Sequence, residues 1–333
     1  MVADRRRRGT TSFADDVDLV RVDNPSMGAV SPLRPTIHPV VETAQTEVHQ
    51  LVAVLGVGVV DDPDRPVLCA DDLGLTRGDG CFDATRVVTD TDGASHIDHL
   101  DTHLGRFARS AAGLEIPFDM DAWQDLVAAA AAAWKLPGEA VLRVMLTRGR
   151  EAAPGDPVTG LLTIAPIHGS ALTGRSGISV TTLDRGHAAN MFTEVSWLLG
   201  GIKTLSYAIN VAAGREAKRR GADDALFVSS DGFALEGPRA ALLWRSDDRL
   251  ATTPIDGTGI LASITQAVVF ERAAAEGVSV SYELITVDDL VRSDGAWLLS
   301  SGRLVAPILQ LDDVPLASDP AWTDRVWGWA SGQ

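Results

Sequence analysis

Lysine is scarce in this 333-residue chain: Lys135, Lys203 and Lys218 are the only three, and arginine supplies the remaining positive charge. Cysteine is scarcer still. Cys69 and Cys81 are too few for a disulfide framework in a chain of this length, and no charged-then-apolar leader precedes a small-residue cleavage site, so a reducing cytoplasm is the expected setting. Long hydrophobic runs are missing as well. The most apolar stretches, Leu51 to Val60 and Ala128 to Trp134, fall short of the roughly 20 residues that span a bilayer, and no membrane partner is expected. Basic residues number 29 against 45 acidic ones, and the net charge of -16 would repel a phosphate backbone. No nucleic-acid partner is expected either, and the single basic run, Arg5 to Arg8, reads as a solvated tail. His96, His99 and His103 interleave with Asp98 and Asp101, but no Glu follows His99 as a zinc-protease helix requires, so no metal is expected. Gly56-x-Gly58 lacks the third glycine and the ribose-binding acid of a dinucleotide fingerprint.

What remains is an ordinary globular composition, 45% hydrophobic, with length enough for two domains. Residues 1–47 show neither the helical nor the strand period and read as a partly disordered N-terminal extension. Val-rich Leu51 to Val60 reads as a buried strand ending at Asp61-Asp62-Pro63. Helical spacing follows over Asp98 to Gly113 and from Asp119 or Asp121 to Trp134. Strand patterns cover Val141 to Leu146 and Leu161 to Ile167. Beyond Gly169, strands are expected at Ile178 to Thr182, Ala225 to Val228, Phe233 to Leu235 and Ala240 to Trp244, with Asp231-Gly232 as a hairpin turn. Helices are expected at Thr204 to Arg220 and Ser263 to Glu276. The reading is α+β, with a small α+β domain over 48–168 and a larger one over 169–333.

The lysines sit in different company. Lys135 ends a helix and Lys218 lies in the charged segment Arg215 to Arg220, whereas Lys203 has no opposite charge between Glu194 and Glu216. Desolvation there would lower the amine pKa, as covalent carbonyl chemistry requires. The same context suits a lysine that snorkels to the surface from an apolar helix start. Glu236 lies in the apolar hairpin strand Phe233-Ala-Leu-Glu236-Gly and could protonate a pyridine ring nitrogen, or be a partly exposed edge residue. Ser263-Ile264-Thr265-Gln266 has capping-box spacing, which would leave the amides of Ile264 and Thr265 facing an anion.

Taken in order, these segments resemble the class-IV aminotransferases and lyases, the fold-type-IV enzymes of pyridoxal 5′-phosphate (PLP) that include D-amino-acid aminotransferase. The resemblance runs from about Ala70 to Ile308. Its blocks are Arg77-Gly-Asp-Gly-Cys-Phe-Asp-Ala-Thr-Arg86, His103-Leu-Gly-Arg106-Phe, Gly201-Ile-Lys203-Thr-Leu-Ser-Tyr207, the hairpin from Gly221 through Leu235-Glu236-Gly237, and Ile260-Leu-Ala-Ser-Ile264-Thr265. It implies a small α+β domain, a larger α/β-barrel-like domain, PLP on Lys203 between them, and a homodimer. It further implies that Arg106, Ile264, Thr265 and Ser301 hold the cofactor phosphate, that Tyr207 meets the 3′-oxygen and that Glu236 meets the ring nitrogen. Arg143 and Arg239 become candidates for the substrate carboxylate or for structural ion pairs. Two departures stand out. Gly237-Pro-Arg-Ala-Ala241 replaces the family's usual Ser-Asn pair, and Ala262-Ser263 replaces Pro-Gly. The Arg-x-His element of D-amino-acid aminotransferases is missing from Thr147 to Glu151. The branch most resembled is 4-amino-4-deoxychorismate lyase, a folate-biosynthesis activity. The alternatives are a branched-chain or other class-IV aminotransferase and a PLP-binding protein that has lost catalysis.

Overall fold

The computed structural model describes residues 50–332, and the extension expected over 1–47 lies outside the described residues. The first sheet is built from β1 (Leu51–Val54), β2 (Gly58–Val59), β3 (Gly80–Thr89), β4 (Ser95–Ile97), β5 (Gly138–Thr147) and β6 (Thr159–Pro166). Its order is β2-β1-β6-β5-β3-β4, antiparallel throughout. The expected strand Leu51 to Val60 is in fact the hairpin β1–β2, because Gly56 and Gly58 adopt φ of 76° and 103° and turn the chain back.

Two helices cover one face of this sheet, α2 (Leu100–Gly113) and α3 (Met120–Ala133), while the short α1 (Leu73–Arg77) precedes β3. Alternate residues of β5, namely Ala140, Leu142, Val144 and Leu146, join Leu104, Phe107 and Trp123 in that core. The residues between them point to the other face, where Arg143 is exposed. On β3 the same alternation sends Asp83 to the helix-covered face and its neighbour Phe82 to the open one.

The second sheet holds β7 (Ile178–Asp184), β8 (Asp224–Val228), β9 (Glu236–Gly237), β10 (Ala240–Ser246), β11 (Arg249–Thr252), β12 (Ser279–Tyr282), β13 (Gly295–Ser300), β14 (Leu304–Leu311) and β15 (Val314–Pro315). Its main path is β12-β11-β10-β13-β14-β7-β8. The segment Phe233 to Gly237 closes that path into a barrel. On one side Ala234 bridges Val228 and the Leu235 amide donates to the Phe227 carbonyl at 2.9 Å. On the other, β9 pairs with β10. Gly237 permits the closure, since a Cβ there would stand 3.3 Å from the Ala225 carbonyl oxygen.

Five further helices are α4 (Gly169–Thr173), α5 (Ala208–Arg219), α6 (Ile264–Ala275), α7 (Val287–Val291) and α8 (Pro320–Ser331). Leu242, Trp244, Leu298 and Ile308 fill the barrel, while Leu243, Trp297 and Leu299 pack outward with Val269, Phe270 and Trp329 of α6 and α8. Strands buried on both faces are apolar at every position. The halves are also tied by charge: Arg175 grips both carboxylate oxygens of Glu139 at 2.7 Å, and Arg86 reaches the same carboxylate at 3.0 Å. These guanidinium bonds, Arg175 first, outweigh partial burial and hold the Glu139 carboxyl down at about 2.

Candidate active site

The lysine segment is shaped by β3. The Phe82 amide donates to the Lys203 carbonyl at 3.0 Å and the Leu205 amide to the Gly80 carbonyl at 2.8 Å, so residues 203–205 run as a short strand addition. That pairing is why the expected helix from Thr204 starts only at Ala208. Only glycine suits position 80, because a Cβ would lie 2.5 Å from the Leu146 carbonyl oxygen and 2.7 Å from Leu205 Cδ1. The Lys203 amine rests 4.5 Å from the Phe82 ring centroid and 5.7 Å from that of Tyr207. Burial, reinforced by the charge of Arg106, brings its pKa down to about 8, with Asp83 and Glu236 pulling the other way.

One end of the site is organised by a buried carboxylate. Asp83 accepts Arg106 Nε and Nη2 at 2.7 Å each and His103 Nδ1 at 2.7 Å. Burial alone would raise the Asp83 carboxyl, but these bonds hold it well below the usual carboxylate range. Burial keeps His103 neutral, with its Nδ1–H given to Asp83, so that Nε2 faces Ser301 Oγ at 3.4 Å. Arg106 Nη1 donates to the Ala262 carbonyl at 3.0 Å. The guanidinium is thereby fixed beside the N-terminus of α6. There Ser263 caps the Gln266 amide and its carbonyl takes that of Ala267, leaving the amides of Ile264 and Thr265 without a protein acceptor. Arg106, Ile264, Thr265 and Ser301 thus converge on one polar end.

At the other end stands Glu236, on the strand that closes the barrel. Its Oε2 accepts the Leu261 amide at 3.2 Å. Burial raises its carboxyl to about 7 against that bond and the charges of Lys203 and Arg185. Tyr207 Oη donates to the Pro238 carbonyl at 2.9 Å, shared with Asn210 Nδ2 at 2.6 Å. The phenol, pushed up to about 12 by burial and the Glu236 charge, stays protonated. The Pro238 that interrupts the family pattern therefore holds Tyr207 in place.

Arg143 acts electrostatically on Lys203, and Arg239 on Tyr207. Both are exposed. The sequence reading missed Asp83 and Arg185 as site residues. Asp83 lies inside the motif Gly-Cys-Phe-Asp, and its pairing with Arg106 was the available signal; Arg185 carries no motif at all.

The sequence pattern of the family described as Amino-transferase class IV matches residues 80–311. The chain belongs to that family. A bifunctional aminodeoxychorismate lyase / D-amino acid transaminase of Mycobacterium tuberculosis is 37% identical over 273 residues, 79% of this chain and 92% of the relative. An aminodeoxychorismate lyase of Vibrio harveyi is 25% identical over 247 residues, 71% of this chain and 84% of its own. Among solved structures, a PLP-bound hypothetical aminotransferase from Mycobacterium tuberculosis superposes with a TM-score of 0.79 at 35% identity, covering 85% of this chain and all of that one. A fold-IV transaminase from Curtobacterium pusillum gives a TM-score of 0.78 at 38% identity over 85% of this chain and 99% of its own. This class-IV aminotransferase is an α+β enzyme of fold type IV, and it is PLP-dependent. Its residues fit that cofactor: a desolvated amine, unpaired helix amides beside a fixed guanidinium, and a buried carboxylate.

Proposed function

We propose that this enzyme converts 4-amino-4-deoxychorismate to 4-aminobenzoate and pyruvate. The observation that carries the reading is a pair of unpartnered arginines: among the described residues neither Arg143 nor Arg239 forms an ion pair or a side-chain hydrogen bond, yet each bears on a central residue of the site. A structural ion-pair role finds no support there. Two free guanidinium groups suit a substrate with two carboxylates, which aminodeoxychorismate has. The bifunctional name of the Mycobacterium tuberculosis relative supports the same activity.

PLP, which Lys203 would hold in the resting enzyme, would supply an electron sink for the pair left when the substrate C4–H bond breaks. The Lys203 amine, freed when the substrate's 4-amino group takes its place and with a proton affinity lowered to about 8, would take that proton as general base. Glu236 would keep the cofactor's ring nitrogen protonated, and Tyr207, fixed on Pro238, would meet the 3′-oxygen. Arg106, Ile264, Thr265 and Ser301 hold the phosphate. The electron pair would then form the aromatic ring as the C3–O bond breaks, and the enolpyruvyl group would depart as the enolate, which becomes pyruvate on taking up a proton from the Lys203 ammonium or from water. The halves over 48–168 and 169–333 act as two domains with the site between them, in a homodimer. A reducing cytoplasm suits the unpaired Cys69 and Cys81.

A second reading, amino-acid transamination, draws on the other half of that relative's name and on a neighbouring structure with alpha-ketoglutarate and PMP bound. The two separate in one assay. Aminodeoxychorismate supplied alone is expected to yield equal amounts of pyruvate and 4-aminobenzoate. Turnover only with an amino acid plus 2-oxoglutarate overturns the lyase reading.

A further inference from the structure

Behind Glu236 lies a crevice of about 20 Å³ whose wall includes Arg185, His187, Phe227, Glu236 and Thr258. Arg185 follows β7 and is locked there twice. Its amide donates to the Val228 carbonyl at 2.8 Å, and its guanidinium carbon lies 4.4 Å from the Phe227 ring centroid. The stacked guanidinium has its Nη1 fully buried with no hydrogen-bond acceptor, which is costly for a charged donor. Of the other polar groups on the wall, Thr258 gives its hydroxyl to the Pro254 carbonyl and His187 Nδ1 faces the Ala188 carbonyl at 3.0 Å. The Glu236 carboxylate is the anion on this wall, and the space is large enough for one water molecule.

We propose that Arg185 is a positioning residue for Glu236, its buried Nη1 donating, through one water in this crevice, to the carboxylate that faces the cofactor's ring nitrogen. The proposal rests on Glu236 having that role, and it is independent of the choice between lyase and transaminase. Its physical content is where one proton sits. A cation beside the carboxylate stabilises the ionised form of Glu236, so the shared proton resides on the pyridine nitrogen. Without that cation, burial favours a neutral carboxylic acid facing an unprotonated ring. Lys203 also favours the ionised form when charged, but in the holoenzyme its amine is consumed by the cofactor, and the burden falls on Arg185 and the Leu261 amide.

The test uses holoenzyme reconstituted with PLP isotopically labelled at the ring nitrogen, whose resonance separates protonated from unprotonated pyridine. Glu236→Gln should move that signal toward the unprotonated form, and an unmoved signal there removes the premise about Glu236. With that established, Arg185→Met should move it the same way and slow turnover about 10- to 100-fold, while Arg185→Lys, which keeps the charge, should restore most of the wild-type signal. A wild-type signal in Arg185→Met overturns the proposal. Should Arg185→Met not fold, a crystal structure of the wild-type holoenzyme decides: a water bridging Nη1 and the Glu236 carboxylate supports it, and an Nη1 turned to another acceptor overturns it.

Discussion

Replacing Asp83 by Asn keeps the shape of the side chain and removes its charge. The carboxylate is fully buried and takes three charge-assisted bonds at 2.7 Å, two from Arg106 and one from His103. The amide can still accept at one atom, but it opposes an N–H group to another N–H and leaves the Arg106 charge uncompensated. Breaking a buried pair in this way costs about 3–5 kcal/mol, which in a protein of this size corresponds to a fall in Tm of about 5–10 °C. The pH dependence carries its own sign. The folded carboxyl of Asp83 is depressed below its unfolded value, so its contribution is fully present above about pH 4 and is lost as pH falls toward the folded pKa. Asp83→Asn should therefore flatten the acid side of the stability curve. The guanidinium would also lose its aim beside α6, and PLP affinity should drop about 10- to 100-fold. Thermal melts of cofactor-free protein across pH, with PLP titrations followed by protein fluorescence, read both effects. A variant with wild-type Tm and an unchanged acid limb refutes the argument that this carboxylate organises the phosphate end.

Two further outcomes follow from charged groups elsewhere. Covalent capture of PLP by cofactor-free protein needs a neutral amine, so its rate should rise with pH and level off above about 8, the value to which burial brings Lys203. Borohydride trapping should label Lys203 in the wild type and nothing in Lys203→Ala, and a capture rate still climbing near the ordinary lysine pKa of about 10.4 contradicts the desolvated amine. Glu139→Gln should cost about 1–3 kcal/mol by loosening Arg175 and Arg86. That contribution is present above the ordinary Glu value of 4.5 and fades toward about 2, so urea melts of wild type and variant should converge in acid and differ most at neutral pH.

Much of the site was legible because its chemistry rests on rare or patterned residues. Lys203 stands out through the scarcity of lysine, and Glu236 through being charged in an apolar strand. Ser263-x-x-Gln266 announces a helix start, and the cap forms as spaced, with Ser263 Oγ taking the Gln266 amide at 3.3 Å. Other parts left no local trace. Strands β13 and β14 are apolar at almost every position because the barrel buries one face and α6 and α8 the other, which erases the alternation that marks a strand. The start of α5 was misplaced because backbone pairing with Gly80 and Phe82, more than 120 residues earlier, overrides the helical propensity of Thr204 to Tyr207.

The couplings were the least legible feature, and they set how the site behaves. Period-two alternation places Phe82 against the lysine and Asp83 against the helix, so two adjacent residues of β3 serve opposite faces of one sheet. The loop from Gly259 to Thr265 does something similar between the ends of the site. Its Leu261 amide holds Glu236 and its Ala262 carbonyl holds Arg106, while the amides of Ile264 and Thr265 that follow have no protein acceptor. The Glu236 carboxylate and the Arg106 guanidinium are thus spaced by adjacent residues of one backbone, Leu261 and Ala262.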